Sequence, residues 1–249
     1  MYLVARYDEI GGGYASERRA DPRIAARIVT ALGGARRVVN VGAGTGNYEP
    51  VDRHVVAIEP SRTMIEQRRP DAAPAVEAVA EALPLGTQSC DAAMTVLSIH
   101  HWTDLKAGLR EMCRVATRQV VLTFDPTRTP GFWLVKDYFP GWVELDESMP
   151  GIDVVGGLLD TVRSISEVPI PADCTDGHAG AYWNRPEHYL DPAVQRSISL
   201  MARTPTPVLE RAVAQLREDL ADGSWDARHG HLRKLSEIDL GHRLIVGGS

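Results

Sequence analysis

The sequence predicts an open α/β fold on a mostly parallel sheet, and three observations predict it. Short apolar runs alternate with helical stretches through residues 21–124, the first run ends in a glycine turn ("VVNVGAGTG", 38–46), and 249 residues suffice for one large core. Apolar strands separated by helices need crossover connections, and crossovers make parallel neighbours.

The elements follow in order. Residues 21–32 ("DPRIAARIVTAL") carry an acidic cap, a proline in the first turn and Ile24, Ile28 and Leu32 at helical spacing, and Gly33 and Gly34 stop the helix. Strands are expected at 37–41, 55–58, 75–79, 91–97 and 119–124, with helices at 61–68 and 103–116. From Pro130 onward prolines break the chain into short pieces that hold four of the five tryptophans, which suggests a cover over the sheet. A helical insertion between Pro171 and Pro205 is expected to act as a lid, followed by an amphipathic helix at 206–220 and a last strand at 238–246.

Composition narrows the function. The 33 acidic residues outnumber the 27 basic ones, a net charge of −6, so the field of the molecule repels a phosphate backbone and nucleic acid is not the expected partner. Cys90, Cys113 and Cys174 lie far apart, which suits neither a disulfide framework nor a metal knuckle and fits a reducing cytoplasm. Residues 1–13 lack a basic patch followed by an apolar stretch, and no run of about 18 apolar residues appears, so a soluble, unexported protein without a membrane role is expected.

Ligands of open parallel sheets bind beyond the carboxyl ends of the strands, where Gly42, Gly44 and Gly46 stand. A dinucleotide fingerprint needs glycines at 42, 44 and 47; residue 47 is Asn, and no Gly-Lys-Ser/Thr follows for a phosphate loop. The next strand ends "VVAIEPS", which puts Glu59 at the carboxyl edge beside the turn. A carboxylate there accepts two hydrogen bonds from vicinal ribose hydroxyls. The pair implies a ribose without phosphates.

Four stretches, "VVNVGAGTG" (38–46), "VVAIEPSRTMI" (55–65), "AVAEALPL" (78–85) and "CDAAMTVLSIHHWTDL" (90–105), resemble the class I S-adenosylmethionine-dependent methyltransferases. The likeness is to the methyltransferase type 11 group, which is similar to ubiquinone and menaquinone biosynthesis methyltransferases. It implies one domain over 1–249 with a Rossmann-like seven-stranded, mostly parallel sheet flanked by helices and an antiparallel strand near the C-terminus. It also implies S-adenosyl-L-methionine as cofactor and a small-molecule methyl acceptor. Gly42, Ala43 and Gly44 would line the methionine part, Glu59 with Pro60 beside it would hold the ribose, and Met64 would lie over the adenine. Ala80 would offer a backbone N–H to the adenine edge, and Leu97 would sit under the sulfonium side. Asn40 stands where the family usually has an acidic residue and Val79 where an aspartate is frequent, so the contacts at those two places are expected to be altered. Glu81 either substitutes for the second or is a helix-start residue facing solvent.

Methyl transfer from a sulfonium is an in-line displacement that needs the acceptor aligned and, for oxygen and some nitrogen acceptors, its proton removed. "SIHHW" (98–102) lies just past the fourth strand, so His100 and His101 are the expected bases, against the alternative that one caps the next helix. Tyr14, Arg18 and Arg19 precede the first helix, where an arginine either meets the cofactor's carboxylate in a bidentate pair or belongs to a surface turn. Asp125 either faces the acceptor or caps a turn, with the pocket preferred. Of the aromatic residues after Pro130, Trp133, Trp183 and Tyr182 are assigned to the acceptor pocket. Cys174, Asp176 and His178 ("ADCTDGHAG") match no metal-ligand spacing, and no metal is expected. Residues 95–98 are Thr-Val-Leu-Ser, not the Asn-Pro-Pro-Tyr type tetrad of exocyclic-amine methylation, and no Pro-Cys nucleophile is present. Two rivals stand beside this reading: a nicotinamide dehydrogenase, which Asn47 opposes, and a cofactor-binding protein without transfer, which Asn40 and Val79 leave open.

Overall fold

The structure is a computed structural model that describes residues 19–146 and 149–248. Helix α1 (Pro22–Leu32) starts where the Asp21 carboxylate accepts the Arg23 N–H, and Ile24, Ile28 and Leu32 form its buried stripe. Strand β1 (Arg37–Val41) follows. Its side chains alternate, Val38 packing into one core and Val39 and Val41 into the other, so both faces of the sheet are covered. Next come β2 (His54–Glu59), α2 (Arg62–Glu66), β3 (Ala75–Glu77), β4 (Cys90–Val96), α3 (Leu105–Val115) and β5 (Ala116–Phe124). Ser61 caps α2 by accepting the Met64 N–H, and Asp104 caps α3 by accepting that of Ala107.

The second half contributes α4 (Trp133–Tyr138), α5 (Trp142–Asp146), α6 (Ile152–Leu158), β6 (Val162–Glu167) and β7 (Ile170–Pro171). After these come α7 (Pro192–Ser197), α8 (Ser199–Arg203), α9 (Thr206–Ala221), α10 (Ser224–His229), β8 (Glu237–Ile238) and β9 (His242–Gly248). The main sheet has seven strands in the order β3-β2-β1-β4-β5-β9-β6, and only β9 runs against its neighbours. The expected Rossmann-like, mostly parallel sheet with one antiparallel strand near the C-terminus is therefore present. Strand order reverses between β1 and β4, so their carboxyl ends flank the crevice where ligands of such sheets bind.

The helical segment between β7 and β8 continues past Pro205 into α9 and α10, with Leu216 and Trp225 packing into the core that also takes Trp133 and Tyr189. One expectation is corrected. The strand expected at 238–246 is two strands. Ile238 pairs with Ile170 in a separate two-stranded sheet, and β9 begins only at His242, after Asp239 accepts the Gly241 N–H in a turn.

Asp91, at the start of β4, ties two strands together by accepting the N–H groups of Arg36 and Arg37 and the Arg37 guanidinium. These donors, the Arg37 backbone foremost, pull its pKa from 3.8 to about 2. A carboxyl depressed in the folded state contributes stability that is complete above its ordinary value and is lost as the pH falls towards the folded one. Asp91→Asn is therefore expected to flatten the decline in melting temperature between pH 3.8 and about 2. An unchanged slope in that window would contradict the assignment.

Candidate functional site

The site is built on the carboxyl ends of β1, β2 and β4. Gly42 and Ala43 both donate their N–H to Ile58 O, at 2.9 and 3.0 Å, which lashes the glycine turn to β2. Gly42 has φ +69°, and a Cβ there would lie 1.8 Å from Ser98 Oγ. Gly44 has φ +52°, and a Cβ there would meet nothing nearer than Met64 Cε, at 3.4 Å. The turn therefore packs against β4 at Gly42 and leaves nearly bare backbone at Gly44.

Glu59 ends β2 and is buried, and its carboxylate points back at the turn: Oε2 accepts the Gly44 N–H at 2.7 Å and Oε1 the Ser61 N–H at 2.9 Å. Two backbone donors thus orient the carboxylate at the edge of the turn. Met64 is buried on α2 against Gly44, and Pro60 is partly buried between Glu59 and the cap Ser61. Asn40 is buried below the turn and donates Nδ2 to Glu49 Oε1 at 3.2 Å.

On the β4 side, Leu97 has φ +50° and donates its N–H to Leu122 O at 2.8 Å. A non-glycine residue held in that region costs on the order of 1–3 kcal/mol, strain that tends to gather at functional sites. His100 and His101 lie on a short 3₁₀ turn (Ile99–His101), their ring centroids 3.9 Å apart, with His100 5.8 Å from the Phe124 ring at the end of β5. Ala80 is buried beneath Gly108 of α3.

The insertion closes the far side. Phe124 pairs with His242 across β5 and β9, and the His242 and His178 rings are 4.8 Å apart. Cys174 Sγ lies 4.0 Å from His178 Nε2, and the fully buried Asp176 accepts the Tyr48 hydroxyl at 2.9 Å. Tyr48 follows the glycine turn, so a series of contacts runs from His100 through Phe124, His242, His178 and Asp176 back to the residue after that turn. Burial pushes the Tyr48 phenol well above its ordinary range and the Cys174 thiol up to about 12, so both keep their protons at neutral pH. Tyr48→Phe is expected to cost about 1–3 kcal/mol by withdrawing a donor from buried Asp176, roughly 2–4 °C of Tm per kcal/mol at this size. A melting temperature equal to wild type would mean that the bond fastens nothing.

Tyr14 and Arg18 lie outside the described residues. Glu81 lies in a turn at which no helix starts, and its Oε1 accepts the N–H groups of Thr103 and Asp104 and the Thr103 hydroxyl, residues that lead into α3. Burial raises its pKa, but these donors outweigh that and hold it below the ordinary value. Asp125 does not project into the pocket: its Oδ1 accepts the Thr127 N–H and hydroxyl, capping a turn. Trp183 is core rather than pocket, fully buried with Nε1 donating to Ile170 O and Pro171 O, and Trp133 Nε1 donates to Trp183 O. Trp133 also borders a cavity with Phe132, Lys136, His229 and Leu240. Tyr182 is buried and stacks on His188. Among the described residues no group of three or more His, Cys, Asp or Glu is arranged to hold a metal ion, and no helix is long and apolar enough to cross a membrane.

Sequence reasoning missed Ser98, Tyr48, Glu49, Arg68 and His242. Glu49 had a signal, an acid three residues past the last glycine of a turn whose strand carries Asn40. The others are brought in by contacts that no local pattern announces.

A methyltransferase-domain family model matches residues 39–124. The chain is 30% identical over 147 residues to the ubiquinone/menaquinone biosynthesis C-methyltransferase UbiE of Syntrophotalea carbinolica, covering 51% of this chain and 60% of that protein. It is 28% identical over 119 residues to the tRNA (carboxymethyluridine(34)-5-O)-methyltransferase ALKBH8 of Macaca fascicularis, covering 46% of this chain and 18% of that protein. The chain thus spans less than two thirds of either curated relative. A solved structure from Anabaena variabilis, described as a putative methyltransferase from an antibiotic biosynthesis pathway, is 31% identical with a TM-score of 0.86, covering 94% of this chain and 99% of that one.

Proposed function

The chain belongs to the class I S-adenosylmethionine-dependent methyltransferases, and from that premise we propose that it transfers the cofactor's methyl group to an oxygen, nitrogen or carbon of a small molecule. One observation carries the reading: bare backbone at Gly44 lies within hydrogen-bond reach of the buried Glu59 carboxylate at the switch point of the sheet. Those groups suit an adenosyl amino acid, which needs close approach to main chain and an acceptor for its ribose diol.

When bound, the cofactor supplies an electrophilic methyl group on a sulfonium. The chain's residues do the rest. Glu59, with Pro60 and Met64 around it, would hold the adenosyl end; Gly42, Ala43, Gly44 and Asn40 would receive the amino acid end, and Leu97 would lie on the sulfonium side. His100, backed by His101, takes the acceptor's proton where the acceptor is a hydroxyl or an amine, as its place past β4 allows. The side chains in contact from His100 through His178 to Tyr48 keep water from the reacting atoms.

The tRNA relative is matched over a minor part of its length, and a net charge of −6 disfavours an RNA backbone. The reading is tested by titrating the protein with S-adenosylhomocysteine, then incubating it with methyl-labelled cofactor and separate small-molecule and RNA extracts. Binding with label in the small-molecule fraction is expected. Absence of binding overturns the reading, and label in RNA alone replaces its acceptor class.

A further inference from the structure

Resting on the cofactor site just described, we propose that the buried Glu49–Arg68 pair holds Asn40 as the acceptor for the ammonium group of the cofactor's amino acid, so that positions 40 and 49 tolerate one carboxylate between them. Asn40 is 2% exposed and stands two residues before Gly42. Its Nδ2 donates to Glu49 Oε1 at 3.2 Å. A carboxylate only accepts, so the amide nitrogen must face Glu49 and Oδ1 the other way. That Oδ1 is buried and has no hydrogen-bond partner among the described residues. A buried acceptor left unpaired is unfavourable, and a bound ammonium, with three N–H donors, relieves it.

The pair that orients Asn40 also fixes the turn. The Glu49 and Arg68 side chains are 7% and 5% exposed, and Arg68 Nη2 donates to both Glu49 oxygens at 2.8 Å. Arg68 Nη1 donates to Gly44 O at 3.0 Å, while Glu59 accepts the Gly44 N–H. Gly44 is therefore gripped from both sides. The guanidinium offsets the Glu49 charge, and the amide at 40 adds none. A carboxylate at 40 would face Glu49 across the same 3.2 Å gap, where like charges force one group to take a proton or move away.

The test compares titration of S-adenosylhomocysteine with titration of 5′-methylthioadenosine, which keeps the nucleoside and lacks the amino acid, and adds a thermal melt for each variant. Asn40→Ala is expected to weaken S-adenosylhomocysteine about tenfold, the size of a hydrogen bond to a charged group, and to leave methylthioadenosine unchanged. Asn40→Asp is expected to lower both the melting temperature and S-adenosylhomocysteine affinity. The double variant Asn40→Asp/Glu49→Gln swaps carboxylate and amide, keeps the bond and the single charge, and is expected to recover both. Equal loss of the two ligands in Asn40→Ala, or loss of neither, overturns the proposal; so does a double variant no better than Asn40→Asp. If Asn40→Asp does not fold, the two-ligand comparison in Asn40→Ala still decides. Failure of wild type to bind either ligand counts instead against the cofactor site itself.

Discussion

Replacing Gly42 by alanine is expected to reduce S-adenosylhomocysteine affinity about a hundredfold and to lower the melting temperature. Two costs combine. The backbone at φ +69° disfavours a side chain by about 1–2 kcal/mol, and the new Cβ would stand 1.8 Å from Ser98 Oγ and 2.8 Å from Ser98 Cβ. The turn or the end of β4 must move, and forced overpacking typically costs a further 1–3 kcal/mol. Ser98 is not free to swing away, since its Oγ accepts the Trp102 Nε1–H at 3.3 Å and its backbone enters the turn that carries His100. Adding Ser98→Gly removes both clashing atoms and leaves only the backbone term, so the double variant is expected to regain about tenfold of the lost affinity. Wild-type binding by Gly42→Ala would show that the turn does not approach the ligand.

The second large effect belongs to Glu59. Glu59→Ala removes the acceptor for two backbone N–H groups as well as the proposed ribose contact, and each hydrogen bond to a charged group is worth about 1.5–3 kcal/mol. An affinity loss of about tenfold or more is expected, with a fall in melting temperature from the unpaired Gly44 and Ser61 donors. Glu59→Gln is not conservative here. Each carboxylate oxygen faces a donor, so an amide must turn its own N–H₂ towards either Gly44 or Ser61. The glutamine variant is expected to bind S-adenosylhomocysteine nearly as weakly as the alanine one. If either variant matches wild type, β2 does not end at the ligand.

The readable parts of this molecule were those whose causes lie close in sequence. The strand at β1, the Asp21 cap and the apolar stripe of α1 each depend on neighbours within about a turn, and all stand where spacing puts them. The juxtaposition of Gly42, Gly44 and Glu59 was legible for a related reason: parallel strands bring consecutive carboxyl ends to one edge. Strand β6 was illegible because it is an edge strand with every side chain exposed, so no apolar alternation marks it. Asp125 was read into the acceptor pocket because its strand ends at the site, yet the nearest donors, two residues on, claim its carboxylate first. Contacts between Tyr48 and Asp176, 128 residues apart, or between Arg68 and Gly44, 24 apart, are decided by packing and leave no local trace.

The central claim is that the Glu59 carboxylate and the backbone at Gly44 together receive an adenosyl amino acid. A crystal structure of the protein with S-adenosylhomocysteine tests it most directly. The account predicts both ribose hydroxyls donating to Glu59 and the amino acid lying along residues 42–44 above Asn40. A ligand seated elsewhere, or a ribose that does not touch Glu59, would contradict it.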